Sequence, residues 1–435
     1  MQDRQKRMKP RTIYLVCVAL GCLVAGLSID FLYFPHSTVF PDEQRFLASA
    51  IRLAQTGEFW VGADRAWDMP GTAMFFAVGA HVFGPEAAVP AIRVAQSLLV
   101  VLQSALIGLT ARRLSGDRRI AMVAATLAAF YPFFLFYQGL LLSETLFNTF
   151  LIAGVASLYW WRERGLRLDI AMLATCACFA AAAMTKATLT VLPPLLLATA
   201  ALQHPRGARQ ALRILVVASL AYALLLSPWW IRNHLVFGSF VPFATGSGAN
   251  LYLGNNPANP HAGISWQTDV EPEVVARVNA IADERARQRE YVDLAVDYIV
   301  RDPAAFLDRL GKKFIRFWNP VPNADAFNRG IYAVISAATF GPVLVFAIVG
   351  TARWRRRLGL LAPIYLLIGY FTIVHIVTIA SLRYRLPLEP LLILLAAGPI
   401  TQAIGLLSTV VRRLAWRTLE VARAVAPPAS EILRD

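Results

Sequence analysis

Apolar runs of about 17 to 25 residues, the length that crosses a bilayer as a helix, recur along this 435-residue chain with short polar breaks between them. They fall near residues 12–34, 87–111, 120–137, 145–161, 168–183, 189–203, 214–230, 331–352, 358–380 and 386–410. The pattern predicts an all-α polytopic membrane protein with about ten spanning helices. A further apolar stretch, 72–83, is too short to span and is expected to lie along one face of the membrane or dip into it.

Two longer polar segments interrupt the runs. In the first, 35–86, the period changes at residues 44–56: Phe46, Leu47, Ala50, Ile51 and Leu53 fall largely on one face, with Arg45, Arg52 and Gln55 elsewhere. That is an amphipathic helix lying on the membrane, begun by Pro41 to Glu43 and ended by Gly57. The second, 231–330, opens with Gly and Asn clusters that predict tight turns between short extended pieces, followed by a charged helical stretch at 273–300. It closes on FLDRLGKKFIRFW, where Lys312, Lys313 and Arg316 suit headgroup phosphates and Trp318 the interface. A small module of mixed structure is expected here. The chain then divides into an N-terminal membrane domain, 1–230, this module, C-terminal membrane helices at 331–411 and a tail at 412–435.

Composition agrees: 57% of residues are hydrophobic and 16% charged, with a mean hydropathy of +0.52, too little charge to cover a soluble domain. A net charge of +15 would suggest nucleic acid in a soluble protein. Here the arginines sit in alternate short loops, MQDRQKRMKPR, ARRLSGDRR, WRERGLR, HPRGARQALR and RWRRR, and in the tail after Val411. Under the positive-inside rule these loops are cytoplasmic, so no nucleic-acid partner is expected. The pattern points to a multi-pass protein of a bacterial inner membrane whose two long segments face the periplasm. The first apolar run is longer than a signal-peptide core and no A-x-A site follows it, so it is read as a retained span. Cys17, Cys22, Cys176 and Cys178 all fall within runs, which makes them packing residues.

Charge at the outer ends of spans needs a reason, because it costs about 2.5 to 3.5 kcal/mol at the bilayer centre. Four places qualify: Asp42, Glu43 and Arg45; Glu144 in QGLLLSETLF; Lys186 in MTKATLTVLPP; and Arg383 with Arg385 in SLRYRLPLEP. Each has a structural use as well, the carboxylates as helix caps and the cations as snorkelling or headgroup-binding groups. Together, carboxylates and several cations on one face suit an anionic substrate and an attacking hydroxyl. His234, His261, Asp68 and Asp269 share that face, but no H(x)3H spacing supports a metal site. No metal ligands are assigned, and a divalent cation stays open as a cofactor. There is no Walker loop or dinucleotide fingerprint, which disfavours a nucleotide-sugar donor and ATP-driven transport.

The ordered set DE(x)R at the start of a surface helix, MTK before apolar residues and proline, PWWIRN(x)4FGSFVP, G(x)NLYLGNNP and RYRLPLEP resembles the GT-C membrane glycosyltransferases. Within them it is most similar to the group containing bacterial aminoarabinose transferases and protein O-mannosyltransferases. The resemblance implies a GT-C-type multispan helical domain with outer surface helices in the first loop. It also implies transfer of a sugar from a polyprenyl phosphate carrier, usually with inversion, to a glycan, lipid or protein acceptor. By the same resemblance Asp42 takes the essential acidic position, with Glu43 or Glu144 as substitutes. Arg45 takes that of a phosphate-contacting arginine and Lys186 that of the TK lysine, while Arg383 and Arg385 join them as phosphate ligands. Asp68, Asn250 and Asn255 are the expected substrate-binding residues. In WDMPG, Asp68 keeps an acid of the aminoarabinose group while Met69 replaces its lysine, so the phosphate clamp differs. Alternatives of another class are a transporter or flippase of a lipid-linked saccharide, or a lipid-linked glycan polymerase or ligase. Transporters, however, usually show internal repeats, and no two-half repeat is evident.

Overall fold

The computed structural model describes residues 10–34, 38–203, 207–324 and 327–425. Residues 1–9 of the basic N-terminal segment, 204–206 of the HPRGARQALR loop and 426–435 of the tail lie outside the described residues. Eighteen α-helices follow one another: α1 Pro10–Ser28, α2 Pro41–Thr56, α3 Gly71–Phe83, α4 Ala88–Ser115, α5 Arg118–Ala129, α6 Pro132–Gln138, α7 Glu144–Glu163, α8 Ile170–Thr185, α9 Pro193–Ala201, α10 Ala208–Phe237, α11 Ser247–Gly254, α12 Pro272–Asn279, α13 Glu284–Arg301, α14 Pro303–Trp318, α15 Gly330–Arg353, α16 Leu358–Val377, α17 Leu382–Arg385 and α18 Glu389–Val425.

Six helices among the described residues are long and apolar enough to cross a membrane: Thr12–Tyr33, Ala88–Ser115, Ala208–Phe237, Gly330–Arg353, Arg355–Val377 and Leu382–Arg413. The predicted count of about ten is not reached, for identifiable reasons. The run at 120–137 is two helices, α5 and α6, bent by 45°. Pro132 opens the second, and Tyr131 before it is held extended at ψ 113°, as a residue preceding proline tends to be. Counted as one span, the pair makes seven. The runs at 168–183 and 189–203 form shorter apolar helices, Ile170–Thr185 and Ala187–Ala201. Helix α7 has 20 residues and is buried on every face, from Leu146 and Phe147 to Leu158 and Trp161. It is the axis of the bundle rather than a lipid-facing helix.

Around α7 pack α4, α8 and the chain entering α18, and α5 and α15 close the layer outside them. Close approach needs glycine at one crossing. A Cβ on Gly350 of α15 would overlap the Leu395 carbonyl of α18. The short apolar segment at 72–83 is helix α3, and the predicted surface helix is α2, ended by Gly57 at φ +74°. Helix α2 buries Phe46 and Ala50 against α3 and the turn at 140–142.

The segment at 231–330 corrects the expected mixed module. Among the described residues it contains no strand, and elsewhere among them the one isolated β-bridge pairs Val61 with Asp64. Helix α10 carries PWWIRN through to Phe237 before Gly238 ends it at φ +64°, and SGANLYLG is helix α11. The charged stretch at 273–300 is two helices, α12 and α13, the second begun where the Asp283 side chain accepts from the Ala286 N–H. Lys313 does not reach a headgroup: it is 1% exposed, and its Nζ donates to Asn255 Oδ1 at 3.0 Å and the Val377 carbonyl at 3.3 Å. Arg316 donates to the Ala380 carbonyl. Lys312 alone of the three is exposed, beside Asp308.

Candidate active site

Five separate segments bring three carboxylates and three cations into one line. Lys186 Nζ lies 2.8 Å from Glu144 Oε1, and Arg383 Nε lies 2.6 Å from the same oxygen. Arg383 Nη1 reaches Asp42 Oδ2 at 2.5 Å, Arg45 Nη1 reaches Asp42 Oδ1 at 3.0 Å, and Arg45 Nε lies 3.0 Å from Asp68 Oδ2. The order Lys186, Glu144, Arg383, Asp42, Arg45, Asp68 alternates in sign along its whole length, so each charge meets its opposite.

Local structure fixes each member. Pro41 starts α2, placing Asp42 in the first turn and Arg45 one turn on, where the two pair on one face. Glu43, on another face, is fully buried and takes backbone donors: Oε1 accepts from the Val39 and Phe40 N–H groups at 2.7 and 2.8 Å, and Oε2 from the Leu141 N–H at 2.8 Å. It fastens α2 to the turn that leads into Glu144 and is not among the residues lining the cavity. Two buried side chains of α4 hold the same turn. Gln96 Nε2 donates to the Gln138 and Leu140 carbonyls, and Arg93 Nε to the Gly139 carbonyl. Both are polar residues inside an apolar run, a signal the sequence reading passed over.

Lys186 follows the end of α8 in extended backbone, its Nζ above the rings of Phe147 and Tyr384. Arg383 and Arg385 lie two apart on the turn of α17, about 200° around a helix of 3.6 residues per turn. They point opposite ways. Arg385 is buried, paired with Glu389 at 3.1 Å, donating to the Asn319 carbonyl at 2.6 Å and stacked on Phe340. It anchors the turn and is not among the residues lining the cavity. Asn255 is likewise internal, its amide donating to the Leu251 and Val377 carbonyls, whereas Asn250 lines the cavity. Asp68 lies on a loop held from the 231–330 segment. Glu284 accepts from the Arg65 N–H at 2.6 Å, from the Ala66 N–H at 3.1 Å and from the Thr245 hydroxyl. The Thr245 N–H donates to the Ala66 carbonyl at 2.7 Å, and Arg287 pairs with Asp64.

The cluster forms part of the wall of a cavity of about 1440 Å³. Asp42, Arg45, Asp68, Lys186 and Arg383 line it, while Glu144 lies behind them, fully buried. Its lining also includes the apolar Ile29, Tyr33, Phe133, Phe136, Phe327 and Ile335, together with Trp67, Asn250, Ser265 and Trp266. Burial would raise the Asp42 carboxyl, but the Arg383 and Arg45 guanidiniums outweigh it and hold Asp42 below the usual range. At Asp68, burial wins, helped by the Asp42 charge, and the carboxyl is raised. The Lys186 ammonium is lowered by burial against the pull of Glu144. Among the described residues no three His, Cys, Asp or Glu side chains are placed to hold a metal ion, and His234, His261, Asp68 and Asp269 are not brought together.

Residues 62–241, less than half the chain, match the family model described as dolichyl-phosphate-mannose-protein mannosyltransferase, PMT. The matched region includes Asp68, Glu144 and Lys186 but neither Asp42 nor Arg383. No curated protein matches the chain. Among solved structures it is similar to the archaeal oligosaccharyltransferase AglB from Archaeoglobus fulgidus, in complex with an inhibitory peptide and a dolichol-phosphate. Identity there is 13% and the TM-score 0.52, over 96% of this chain and 53% of that one. The apo form of the Archaeoglobus fulgidus enzyme gives 14% and 0.54, over 95% and 52%. ArnT from Cupriavidus metallidurans bound to undecaprenyl phosphate gives 16% and 0.44, over 90% and 78%. The chain shares its fold with the oligosaccharyltransferase and spans about half of that protein's length.

Proposed function

We propose that this chain is a glycosyltransferase that moves a sugar from a polyprenyl phosphate carrier, undecaprenyl in a bacterium, to an acceptor hydroxyl with inversion at the anomeric carbon. The observation that carries the reading is the alternating charge line on the wall of a cavity whose lining is otherwise rich in apolar side chains and includes polar ones such as Asn250 and Ser265. The apolar side chains suit an isoprenoid chain, the cations suit its phosphate and the polar side chains suit sugar and acceptor. The donor named in the matching family, dolichyl-phosphate-mannose, is of the same chemical class.

The acceptor oxygen attacks the anomeric carbon as the bond from that carbon to the phosphate oxygen breaks, and the electron pair leaves with the phosphate. Arg45, Arg383 and Lys186 stabilise the departing anion, which needs no strong general acid. Asp42 takes the hydroxyl proton. Of the two carboxylates of the charge line that face the cavity, Asp42 is lowered and Asp68 raised, and as phosphate oxygens engage Arg45 and Arg383, their hold on Asp42 weakens and its basicity rises. Glu144, sealed behind Lys186 and Arg383, orients those two cations. The arginine-rich loops support a cavity that opens on the periplasmic side of a bacterial inner membrane.

The test is transfer from a panel of polyprenyl phosphate sugars in membranes holding wild type or Asp42→Asn at matched abundance. Wild type consumes one donor, and the variant is slower by about 10² to 10⁴, the usual worth of a general base. Normal transfer by Asp42→Asn overturns the base, and unchanged donor crossing the membrane in both overturns the transferase.

A further inference from the structure

Every cavity-lining cation of the cluster is already engaged by a carboxylate. A phosphate that binds them adds negative charge to a balanced set of three and three, so one carboxylate has to give way or gain a proton. We propose that Asp68 is that carboxylate: it stands on Arg45 where a phosphate oxygen of the carrier binds, and when displaced it takes up a proton from solvent. This deepens the transferase reading above and rests on it.

Geometry singles out Asp68. Glu144 is sealed from the cavity and held by two cations at 2.8 and 2.6 Å. Asp42 bridges two guanidiniums from the first turn of a helix. Asp68 has one ionic contact and sits on a loop between α2 and α3. That contact is itself imperfect: although Arg45 Nε and Asp68 Oδ2 are 3.0 Å apart, the buried Nε–H has no directed hydrogen bond among the described residues. A guanidinium presents its donors in a fixed planar fork that suits phosphate oxygens. Arg45 therefore has a donor for a phosphate to satisfy, and Asp68 is the group it replaces.

The proton follows from where Asp68 goes. The charged groups acting on it are Arg45 and Asp42 from α2 and Arg383 from α17. The cavity-lining residues of the strand of chain beside it, Ala244, Gly246 and Ser247, offer no cation. Parted from Arg45, an ionised Asp68 would face Asp42 with only Arg383, itself paired with Asp42 and Glu144, as a cation acting on it, and burial already favours its neutral form. One proton passes to a carboxylate oxygen, and no bond other than the ionic contact is broken.

The exchange also bears on release. A loaded carrier is a phosphodiester with a single negative charge. The spent carrier is a monoester whose second ionisation, near pH 6, gives it up to two. When Asp68 gives its proton back after transfer, its returning charge repels the doubly charged product more strongly than it would the donor, which hastens release.

The test uses the full chain in detergent with two probes, a polyprenyl methyl phosphodiester and the matching polyprenyl phosphate. Binding is followed by calorimetry in buffers of different ionisation enthalpy. The diester keeps one charge from pH 5 to 8, so its pH dependence reports the protein. Wild type is expected to take up a proton on binding the diester and to bind it about tenfold more tightly at pH 6 than at pH 8. Asp68→Asn abolishes the uptake, flattens the profile and binds the monoester at pH 8 about tenfold more tightly, and Asp68→Glu restores the wild-type slope. An Asp68→Asn protein that melts normally and keeps proton uptake, or weakens both ligands alike, overturns the proposal and leaves the transferase reading standing. Binding of neither lipid by wild type overturns both.

Discussion

Without its guanidinium, Arg383 would leave Asp42 and Glu144, which it bonds at 2.5 and 2.6 Å, sharing only Arg45 and Lys186. Breaking a buried ion pair from one side costs about 3 to 5 kcal/mol. Arg383→Gln is therefore expected to lower the melting temperature in detergent as well as donor affinity. Arg383→Lys restores charge without the fork and recovers less than half of either. Lys313 gives a pH signature. Burial pushes its ammonium down to about 7, well below its unfolded value near 10.4. Between those values the unfolded chain binds more protons than the folded one, so stability rises with pH, by about 2 kcal/mol from pH 7 to 9. Lys313→Met is expected to flatten that slope in thermal melts. At this scale the sequence was legible where charge met an apolar boundary: Asp42, Arg45, Lys186 and Arg383 all line the cavity. Glu43, Arg385 and Asn255, singled out in the sequence as well, are engaged with backbone. Charge marks a residue that needs a partner; only the turn of the helix says whether that partner is ligand or chain.

Helices and loops set how firmly the line of charge is held. Glu284 of α13 satisfies the Arg65 and Ala66 N–H groups and the Thr245 hydroxyl, and through them the loop that bears Asp68. Glu284→Ala leaves those groups unpaired at about 1 to 3 kcal/mol each. Deuterium exchange should quicken at Arg65 and Ala66, and the donor KM should rise more than kcat falls. The surface helix α2 was readable from its period and its terminal glycine, because both are local. The module was not: its Gly and Asn clusters mark turns, but the pieces between them are helical because they pack on one another, as Tyr252 of α11 does on Tyr291 of α13. Apolar length likewise could not tell a lipid-facing span from α7, which protein surrounds on every side.

For the molecule as a whole, the sidedness proposed from the arginine loops has a direct check. Asp293→Cys, exposed on α13, is expected to react with a membrane-impermeant maleimide in intact spheroplasts. Arg356→Cys, in the turn before α16, should react only after permeabilisation. The reverse pattern would put the cavity in the cytoplasm. The distribution of the charge line along the chain carries a consequence of its own. Arg383 follows Asp42 by 341 residues, which at roughly 5 to 20 residues per second of synthesis is an interval of about 20 to 70 s. Asp42 for the whole of it, and Glu144 for its last 239 residues, are without the cation they share. The nascent protein thus passes through a stage with an unmatched acidic seam, closed when the last hairpin inserts. A chain halted before that hairpin exposes the seam as a mark of incompleteness that membrane quality control can read.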